Sequence, residues 1–259
     1  MRMTRCSAIF AVVLSAWAAG CGDPPNGAIV YYLDGAGWYS GAGSVAQGLR
    51  DAGFKGHFKS YSWSAFLGPA HDHLVTAKSK QVSRGLAKEI AATIRRSPEN
   101  KVYVMGLSAG TAVILAALEQ LPDDVQVEDV VLFSPSVSSR HDLRRAMQRV
   151  RRNLYATCSR NDGILPGLVI NADGVGGRPA GISGFVLPPG QSARSTKSYR
   201  RVINLPWRPA YIGYDWTGGH AAVTQSRFVE SVIAPRILGR EPYPLNRSVT
   251  DERRARGAS

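Results

Sequence analysis

Cysteine is scarce in this sequence of 259 residues, which contains only Cys6, Cys21 and Cys158. Cys6 lies in an N-terminal segment with the features of a removable signal, and Cys158 ends the apolar run 154–158, where we expect a buried thiol. Only Cys21 and Cys158 then remain, and a buried Cys158 leaves no pair for a structural disulfide. A chain of this length buries enough surface to fold without one. These facts exclude the small, disulfide-rich class of secreted domains.

Long apolar runs are also missing. The N-terminal run Ala8–Ala19 is interrupted by Ser15 and is too short to be taken as a membrane-spanning helix. Because Arg2 and Arg5 precede it, the run has the layout of a secretory signal. We therefore expect residues 1–20 to be a signal peptide that is removed during export.

The signal ends in Ala18-Ala19-Gly20-Cys21. These residues resemble the cleavage box of bacterial lipoproteins, although Ala18 stands where that box usually has leucine. The resemblance implies that a lipid on Cys21 anchors an exported protein to a membrane of the bacterial cell envelope, with a linker over residues 21–27. The alternative is ordinary secretory cleavage, which would leave Cys21 a free thiol and the protein soluble in the periplasm or outside the cell.

Acidic residues are few beside basic ones, and the formal net charge is +13. Such a charge favours contact with anionic lipids or polyanions. The arginines are scattered, however, and the sequence has no nucleic-acid-binding motif and no interleaving of basic and aromatic residues. We therefore expect a solvated basic surface and no nucleic-acid partner.

Metal-ligand patterns are equally sparse. His71 and His73 flank Asp72, but the third and fourth ligands that a metal site needs are not apparent. We interpret this stretch as a loop that leads to a helix beginning at Gln81, and we expect no metal and no other cofactor.

What the sequence does contain, over residues 28–238, is an alternation of short apolar runs with helical patterns. This alternation predicts a single α/β domain, a mostly parallel sheet with helices on both faces. The predicted strands cover residues 28–33, 57–63, 101–105, 127–133, 153–159 and 201–205. The predicted helices cover residues 44–52, 81–96, 111–121, 141–151 and 221–238. Residues 239–259 are predicted to be a basic, disordered tail.

The strongest chemical signal is the G-x-S-x-G motif Gly106-Leu107-Ser108-Ala109-Gly110, between a predicted strand and a predicted buried helix. On such a sharp turn the serine takes a strained backbone conformation that exposes its hydroxyl above the sheet. The glycines leave room for neighbouring elements, and the start of the helix stabilises developing negative charge. We predict Ser108 to be a nucleophile; the alternative is a glycine-rich turn in which Ser108 only caps the helix.

A nucleophilic serine needs a general base. Folds with this turn place an acid and then a histidine after the nucleophile along the chain. Of the five histidines, three precede Ser108 and His141 lies between two middle strands. Only His220 follows the last predicted strand. Asp162 follows a late strand and is the predicted acid, which would fix the tautomer of His220. Its alternative role is that of an ordinary turn aspartate before Gly163.

With these residues, positions 28–238 resemble the α/β-hydrolase superfamily, and in particular its compact bacterial lipase- and esterase-like members. The resemblance implies a sheet with Ser108, Asp162 and His220 on loops at its carboxyl edge. Only residues 134–152 separate two predicted middle strands, so no large cap fits there and the site should be fairly open. The irregular segment 163–200 is the expected wall of a substrate pocket.

The resemblance also implies an oxyanion hole made by the N–H of Ala109 and a second N–H from the loop after the first strand. The superfamily often has His-Gly in that loop, whereas this chain has Asp34-Gly35. The second donor is therefore open between Ala36 and Gly37.

Together these features predict a serine hydrolase that cleaves a carboxylic ester, lipid esters and thioesters included, through an acyl-enzyme on Ser108. The alternative is a non-catalytic binding protein of the envelope that has kept the fold. An intact Ser108-Asp162-His220 set argues against that alternative, because a binding protein has no use for all three. The expected partners are a small-molecule or lipid ester and, through the N-terminal lipid, a membrane.

Overall fold

Six parallel strands form the centre of the protein. The computed structural model describes residues 27–35, 39–61, 72–167, 177–187 and 197–240, with only the backbone at 72–78 and 167. The strands are β1 (Ala28–Leu33), β2 (His57–Ser60), β3 (Lys101–Leu107), β4 (Val130–Phe133), β5 (Leu154–Cys158) and β6 (Val202–Pro206). They lie in the order β2-β1-β3-β4-β5-β6, and every neighbouring pair is parallel. The predicted α/β fold class is confirmed.

Several sequence predictions concern residues outside these ranges. The predicted signal peptide, Cys21 and nearly all of the linker lie outside the described residues, as does the predicted tail beyond Arg240. Cys158 lies within them and is a buried free thiol, as predicted.

Both faces of the sheet are buried, each in its own apolar cluster. Successive side chains of a strand point in opposite directions, so one strand contributes to both clusters. In β1, Tyr31 and Leu33 belong to one apolar cluster, whereas Val30 and Tyr32 belong to the other. The continuous apolar run of each inner strand therefore reflects two hydrophobic layers rather than one.

Helices supply the other half of each layer. Their bounds are α1 (Ala42–Asp51), α2 (Asp72–Arg96), α3 (Ala109–Glu119), α4 (Arg144–Gln148), α5 (Ala180–Ser183), α6 (Ser226–Phe228) and α7 (Ala234–Ile237). Residues of α2, α3 and α4 pack in the first cluster, and residues of α1, α6 and α7 pack in the second. None of the helices in the described part of the chain has the length and apolar character needed to cross a membrane.

The helix before β3 begins earlier than the sequence predicted. It starts at Asp72 rather than Gln81, so the interpretation of Asp72 and His73 as part of a loop is wrong. Residues 72–80 contain neither proline nor glycine, and nothing in them interrupts a helix. His71 lies outside the described residues.

Two further helices are shorter or more broken than predicted. The predicted helix 141–151 forms only over Arg144–Gln148, where Ala146 and Met147 are buried. The predicted helix 221–238 is divided by a π-helical turn over Val229–Ile233. Pro235 lies just beyond this turn, and its nitrogen has no hydrogen to donate to the preceding turn, so a regular helix cannot run through it.

The loops after the strands differ greatly in size. Residues 134–153, between β4 and β5, contain only the short helix α4, which confirms that no large cap is inserted there. Part of the irregular segment 163–200 is well packed: residues 177–187, the crossing segment, lie across the ends of β4 and β5. The N–H of Ser139 donates to Arg178 O, and the N–H of Ser159 donates to Gly181 O, both over 2.8 Å.

A single side chain of β6 fixes the far end of the crossing segment. The buried Asn204 accepts a hydrogen bond from Phe185 N–H (2.9 Å) and donates one to Phe185 O (3.0 Å), as a neighbouring strand would. Gly184 has φ 75°, and a Cβ there would lie 2.6 Å from the amide group of Asn204. Only glycine fits this position without strain.

The outermost strand on one side is β2, which pairs with β1 and has no second partner among the described residues. It has only four residues, and three of them are exposed. Lys59 of β2 forms an ion pair with Glu89 of α2 (2.5 Å) and lies over the ring of Tyr31. This contact ties the edge strand to the helical layer.

A buried carboxylate lies where β4 begins, at the amino-terminal ends of the parallel strands. The side chain of Asp129, just before β4, is completely buried. Its Oδ1 accepts a hydrogen bond from Asn153 N–H (2.9 Å), and Arg152 Nη1 lies 3.4 Å from Oδ2. Burial raises the pKa of Asp129 to about 6, because Arg152 and the amide compensate only part of the lost hydration.

We predict that Asp129→Asn stabilises the protein relative to wild type as the pH rises. A folded-state pKa above the unfolded value means that wild type loses stability between about pH 4 and pH 6, whereas asparagine does not titrate. At 1.36 kcal/mol per pKa unit, the difference in unfolding free energy should shift by about 2–3 kcal/mol in favour of the variant between pH 4 and pH 7.5. Urea unfolding of both proteins at several pH values measures it. Asp124→Asn, at the exposed partner of Arg95, is the control; a shift of the same size in that variant would contradict the assignment to Asp129.

Candidate active site

Ser108 forms the turn between β3 and α3 in a backbone conformation that only glycine adopts easily. Its φ is 52° and its ψ is −121°. Its N–H donates to Phe133 O (2.9 Å), and the N–H of Thr111 donates to Ser108 O (3.0 Å). Such strain costs about 1–3 kcal/mol and persists only where the surrounding structure enforces it. The strand–turn–helix geometry is the one that the G-x-S-x-G motif predicts.

The two glycines of the motif allow β1 to pass close to this turn. A Cβ on Gly106 would lie 2.9 Å from Leu33 O, and a Cβ on Gly110 would lie 2.5 Å from Asp34 O. Both distances are too short for a side chain. The backbone after β1 therefore lies directly against the turn that holds Ser108.

The serine predicted to be the nucleophile is less open to solvent than expected. Ser108 is only 6% exposed. Gly35 is one cause, because its Cβ position lies 3.0 Å from Ser108 Cβ and 3.7 Å from Ser108 Oγ. The loop after β1 thus borders the serine on one side. The hydroxyl predicted to be exposed above the sheet is therefore partly covered.

Asp162 and His220, predicted from their order along the chain, are in direct contact. His220 Nδ1 lies 2.6 Å from Asp162 Oδ2. A carboxylate can only accept, so Nδ1 carries the hydrogen and Nε2 is left as the acceptor. The side chain of Asp162 is completely buried, and its Oδ1 accepts hydrogen bonds from the N–H groups of Ile164 (3.0 Å) and Leu165 (3.1 Å).

The loops that carry Asp162 and His220 pack against each other. Gly218 has φ 94°, and a Cβ there would lie 3.0 Å from Asn161 Cβ and 3.1 Å from Ser159 Oγ. Aromatic rings support the histidine loop: Trp216 stacks on Tyr211 with ring centroids 5.4 Å apart and packs at a tilt against Phe228 with centroids 4.6 Å apart. The hydrogen bond between His220 and Asp162 is therefore held by the packing of both loops.

The serine lies at the same edge of the sheet as this pair. Ser108 follows β3 and Asp162 follows β5, with β4 between them. Two strand spacings are about 10 Å. Between these described residues no hydrogen bond yet joins Ser108 to His220; in proteins without substrate such contacts are often long and tighten when substrate binds.

The predicted oxyanion donors are only partly within the described residues. Ala109 is the first residue of α3, where backbone N–H groups have no partner inside the helix and the helix dipole is positive. Ala36 and Gly37 lie outside the described residues. Their neighbour Gly35, beside Ser108, shows that this loop does run past the serine.

Two sets of hydrogen bonds at the site were not predicted from the sequence. The carboxylate of Asp34 accepts hydrogen bonds from Ser40 Oγ (2.6 Å) and Gly41 N–H (2.7 Å), which closes the loop after β1 back on its own start. Tyr39, in the same loop, contacts the residues that follow His220. No local pattern in the sequence signals either contact, because each joins positions that only the folded loop brings together.

Ion-binding groups are sparse around the site. Within the ranges that the structure describes, no three His, Cys, Asp or Glu side chains are grouped so that they could hold a metal ion. His71 and the side chains of Asp72 and His73 fall outside those ranges.

Comparison with solved structures gives distant similarities. A cutinase of Trichoderma reesei in complex with a C11Y4 phosphonate inhibitor is 18% identical, with a TM-score of 0.42, over 58% of this chain and 73% of the cutinase. A cutinase-like protein from Cryptococcus sp. is 13% identical, with a TM-score of 0.40, over 83% of this chain and 96% of that one. Phospholipase PlaB from Legionella pneumophila is 13% identical, with a TM-score of 0.31, over 69% of this chain and 38% of PlaB.

Comparison at the level of sequence families is more informative. No curated protein matches the chain significantly. One family model, described as "Alpha/beta hydrolase of unknown function (DUF900)", matches residues 37–167. The matched region includes Ser108 and Asp162 and ends before His220. Because it covers just over half of the sequence, this chain belongs to that family of α/β hydrolases.

Proposed function

We propose that this protein is a serine hydrolase that cleaves carboxylic esters, lipid esters and thioesters included, by transferring the acyl group to Ser108 and then to water. One observation carries the proposal: the hydrogen-bonded Asp162–His220 pair lies at the same sheet edge as the strained turn of Ser108. These are the three groups that acyl transfer to a serine requires, in the order along the chain that this fold uses.

In the proposed acylation step, Ser108 Oγ attacks the carbonyl carbon of the ester while His220 Nε2 accepts the hydroxyl proton. The hydrogen bond from His220 Nδ1 to Asp162 keeps Nε2 free for this task and stabilises the imidazolium that forms. The bond from the carbonyl carbon to the leaving oxygen then breaks, and Nε2 returns its proton to the departing alcohol. For a thioester the leaving atom is sulfur.

Deacylation repeats the sequence with water in place of the serine. His220 Nε2 removes a proton from water, the hydroxide attacks the acyl carbon, and Ser108 leaves with its proton restored. Both steps pass through a tetrahedral intermediate with negative charge on the former carbonyl oxygen. In the proposal, the N–H of Ala109 and a second N–H from Ala36 or Gly37 stabilise that charge.

The surroundings of Asp162 favour a catalytic role over that of a turn residue. A turn aspartate before glycine needs only its bonds to the following N–H groups. Here Oδ1 already makes those bonds, and Oδ2 is directed to an imidazole that is itself almost buried. A non-catalytic binding protein would gain nothing from this arrangement beside a strained serine.

Apolar side chains near the site suit an acyl or alkyl group of the substrate. Ile164 is bonded through its N–H to Asp162 and yet is 51% exposed. Tyr39 is also exposed and contacts the loop of His220. A hydrophobic substrate would cover both side chains, which gains about 25 cal/mol for each Å² of apolar surface removed from water.

We also propose that the protein is exported and anchored to a membrane of the bacterial envelope through a lipid on Cys21. The proposal rests on the sequence around that cysteine: two arginines, a short apolar run and small residues directly before Cys21. A lipid anchor would keep the enzyme near lipid esters.

Ser108→Ala should abolish ester hydrolysis and labelling by a fluorophosphonate probe, because the attacking oxygen is removed. The melting temperature should change little, since one small hydroxyl is lost. The measurement combines in-gel fluorescence of the labelled protein with turnover of a series of p-nitrophenyl esters of increasing chain length. Ser183→Ala, at an exposed serine of α5, is the matched control and should keep both activities. Wild-type turnover in Ser108→Ala, or no labelling of wild type, would contradict the proposal and favour a binding protein.

Asp162→Asn and His220→Ala should each lower kcat by roughly 10³–10⁴-fold, because the amide can favour the wrong tautomer of His220 and alanine removes the base. The losses should not add: Ser108→Ala/His220→Ala should be hardly worse than Ser108→Ala alone, because the residues act as one unit. Asp215→Asn is the control, since Asp215 is exposed, pairs with Arg227, and has φ 66°, which asparagine tolerates. An unchanged kcat in His220→Ala would exclude His220 as the base.

Wild type expressed in a bacterial host should partition with the membrane fraction and carry acyl chains, whereas Cys21→Ser should do neither. Intact-mass analysis of the detergent-extracted protein identifies the mature N-terminus and any lipid. Cys6→Ser lies within the predicted signal and should leave the lipid in place. A mature protein that starts elsewhere and carries no lipid would show that ordinary secretory cleavage takes place.

A further inference from the structure

The loop after β1 and the loop of His220 meet at the side chain of Tyr39. The Tyr39 hydroxyl lies 2.7 Å from Thr224 Oγ1 and 3.3 Å from Ala221 O. Ala221 is the residue next to His220. A single phenol thus reaches from the loop that passes Ser108 to the backbone beside the histidine.

The direction of these hydrogen bonds follows from the chemistry of the groups. Thr224 Oγ1 lies 2.8 Å from Ala221 O, and a carbonyl can only accept, so the threonine hydroxyl donates there. Its oxygen is then free to accept the proton of the Tyr39 hydroxyl. Thr224 is fully buried, whereas Tyr39 is 41% exposed. The contact therefore joins a partly exposed tyrosine to a buried threonine.

Both ends of this contact are anchored close to the reacting groups. On one side, Ser40 and Gly41, the residues after Tyr39, donate hydrogen bonds to the carboxylate of Asp34. Gly35, the residue that follows Asp34, lies against Ser108. On the other side, the residue before Ala221 is His220, which is held by Asp162.

The residues around the contact between Tyr39 and Thr224 are closely packed. A Cβ on Gly41 would lie 2.6 Å from Tyr32 Oη, 2.8 Å from Thr224 Oγ1 and 2.9 Å from Thr224 Cβ. The backbone of the first loop therefore touches Thr224 directly. The hydroxyl of Tyr39 adds a directional bond to a contact that packing alone would hold less precisely.

We propose that Tyr39 is a positioning residue for the hydrolytic reaction: its hydroxyl, through Thr224 and Ala221, fixes the loop of His220 relative to the loop that borders Ser108. The inference rests on the proposed function. It follows from the geometry of proton transfer, because the base must come within about 3 Å of the serine hydroxyl, and a misplacement of about 1 Å can cost about 100-fold in rate. Tyr39 itself takes no part in bond making or breaking.

The test compares hydroxyl-deleting variants by their effect on kcat and on KM. Tyr39→Phe keeps the ring and should lower kcat by about 10-fold, with KM changed by less than about two-fold. Thr224→Val removes the partner hydroxyl at nearly constant shape and should lower kcat to a similar extent. The double variant should be hardly worse than either single variant, because both remove the same link. Thr224→Ser keeps the hydroxyl and should retain most of the wild-type kcat.

The chain offers a matched control in a second tyrosine–threonine pair. Tyr31 Oη lies 2.8 Å from Thr93 Oγ1, between β1 and α2 and away from Ser108. Tyr31→Phe deletes the same kind of hydrogen bond, so it should lower the melting temperature by an amount comparable to Tyr39→Phe while leaving kcat unchanged. A merely structural role for Tyr39 predicts the same kcat in the two variants.

The outcomes separate this inference from the proposed function. If wild type neither hydrolyses esters nor reacts with a fluorophosphonate, the proposed function is wrong and the positioning role is wrong with it. If wild type is active and Tyr39→Phe keeps the wild-type kcat, or loses activity through KM alone, only the positioning role is wrong. A fall in kcat at constant KM, shared by Thr224→Val and absent from both Thr224→Ser and Tyr31→Phe, establishes it.

Discussion

The end of β1 crosses the turn between β3 and α3 so closely that no side chain fits between them, and much of the site depends on this contact. Leu33 O and Asp34 O occupy the space that a Cβ on Gly106 or Gly110 would need. Ser108 lies between these two glycines and takes a strained conformation because the chain has no wider path. The same approach brings Gly35 beside the serine, so Ser108, the loop after β1 and the start of α3 are arranged by one steric constraint.

The remaining groups are placed by loops that support one another rather than by the sheet alone. The loop of Asp162 is hydrogen-bonded to the crossing segment through Ser159, and the close approach at Gly218 packs the loop of His220 against it. The aromatic rings around Trp216 support the histidine loop in turn. Because each loop borders two others, a change in one is transmitted to the position of the imidazole. Such mutual support is what a site needs if it is to hold its groups within a fraction of an ångström.

The sequence predicted the existence and mostly parallel direction of the strands, because these follow from periodicity, whereas their order in the sheet was not predicted. It also predicted Asp162 and His220 as partners from their order along the chain, and the two side chains are in contact. Helix limits were less accurate: α2 starts at Asp72 rather than at Gln81, and the irregular last helix contains Pro235 and packs against α1. The contacts of Tyr39 and the burial of Ser108 could not be predicted. Both arise where segments distant in sequence meet, and no local pattern encodes such a meeting.

The short, exposed strand β2 has a consequence for how copies of this protein meet one another. An unpaired strand edge presents N–H and C=O groups that can accept a strand from a second molecule, which is a route to aggregation. Four residues offer a short template, and the ammonium group of Lys59, held there by Glu89, would have to lose water if another strand approached. Replacing Lys59 by a β-branched apolar residue would remove the charge from this edge and favour pairing with a second molecule, so the charge contributes to solubility in addition to its contact with α2.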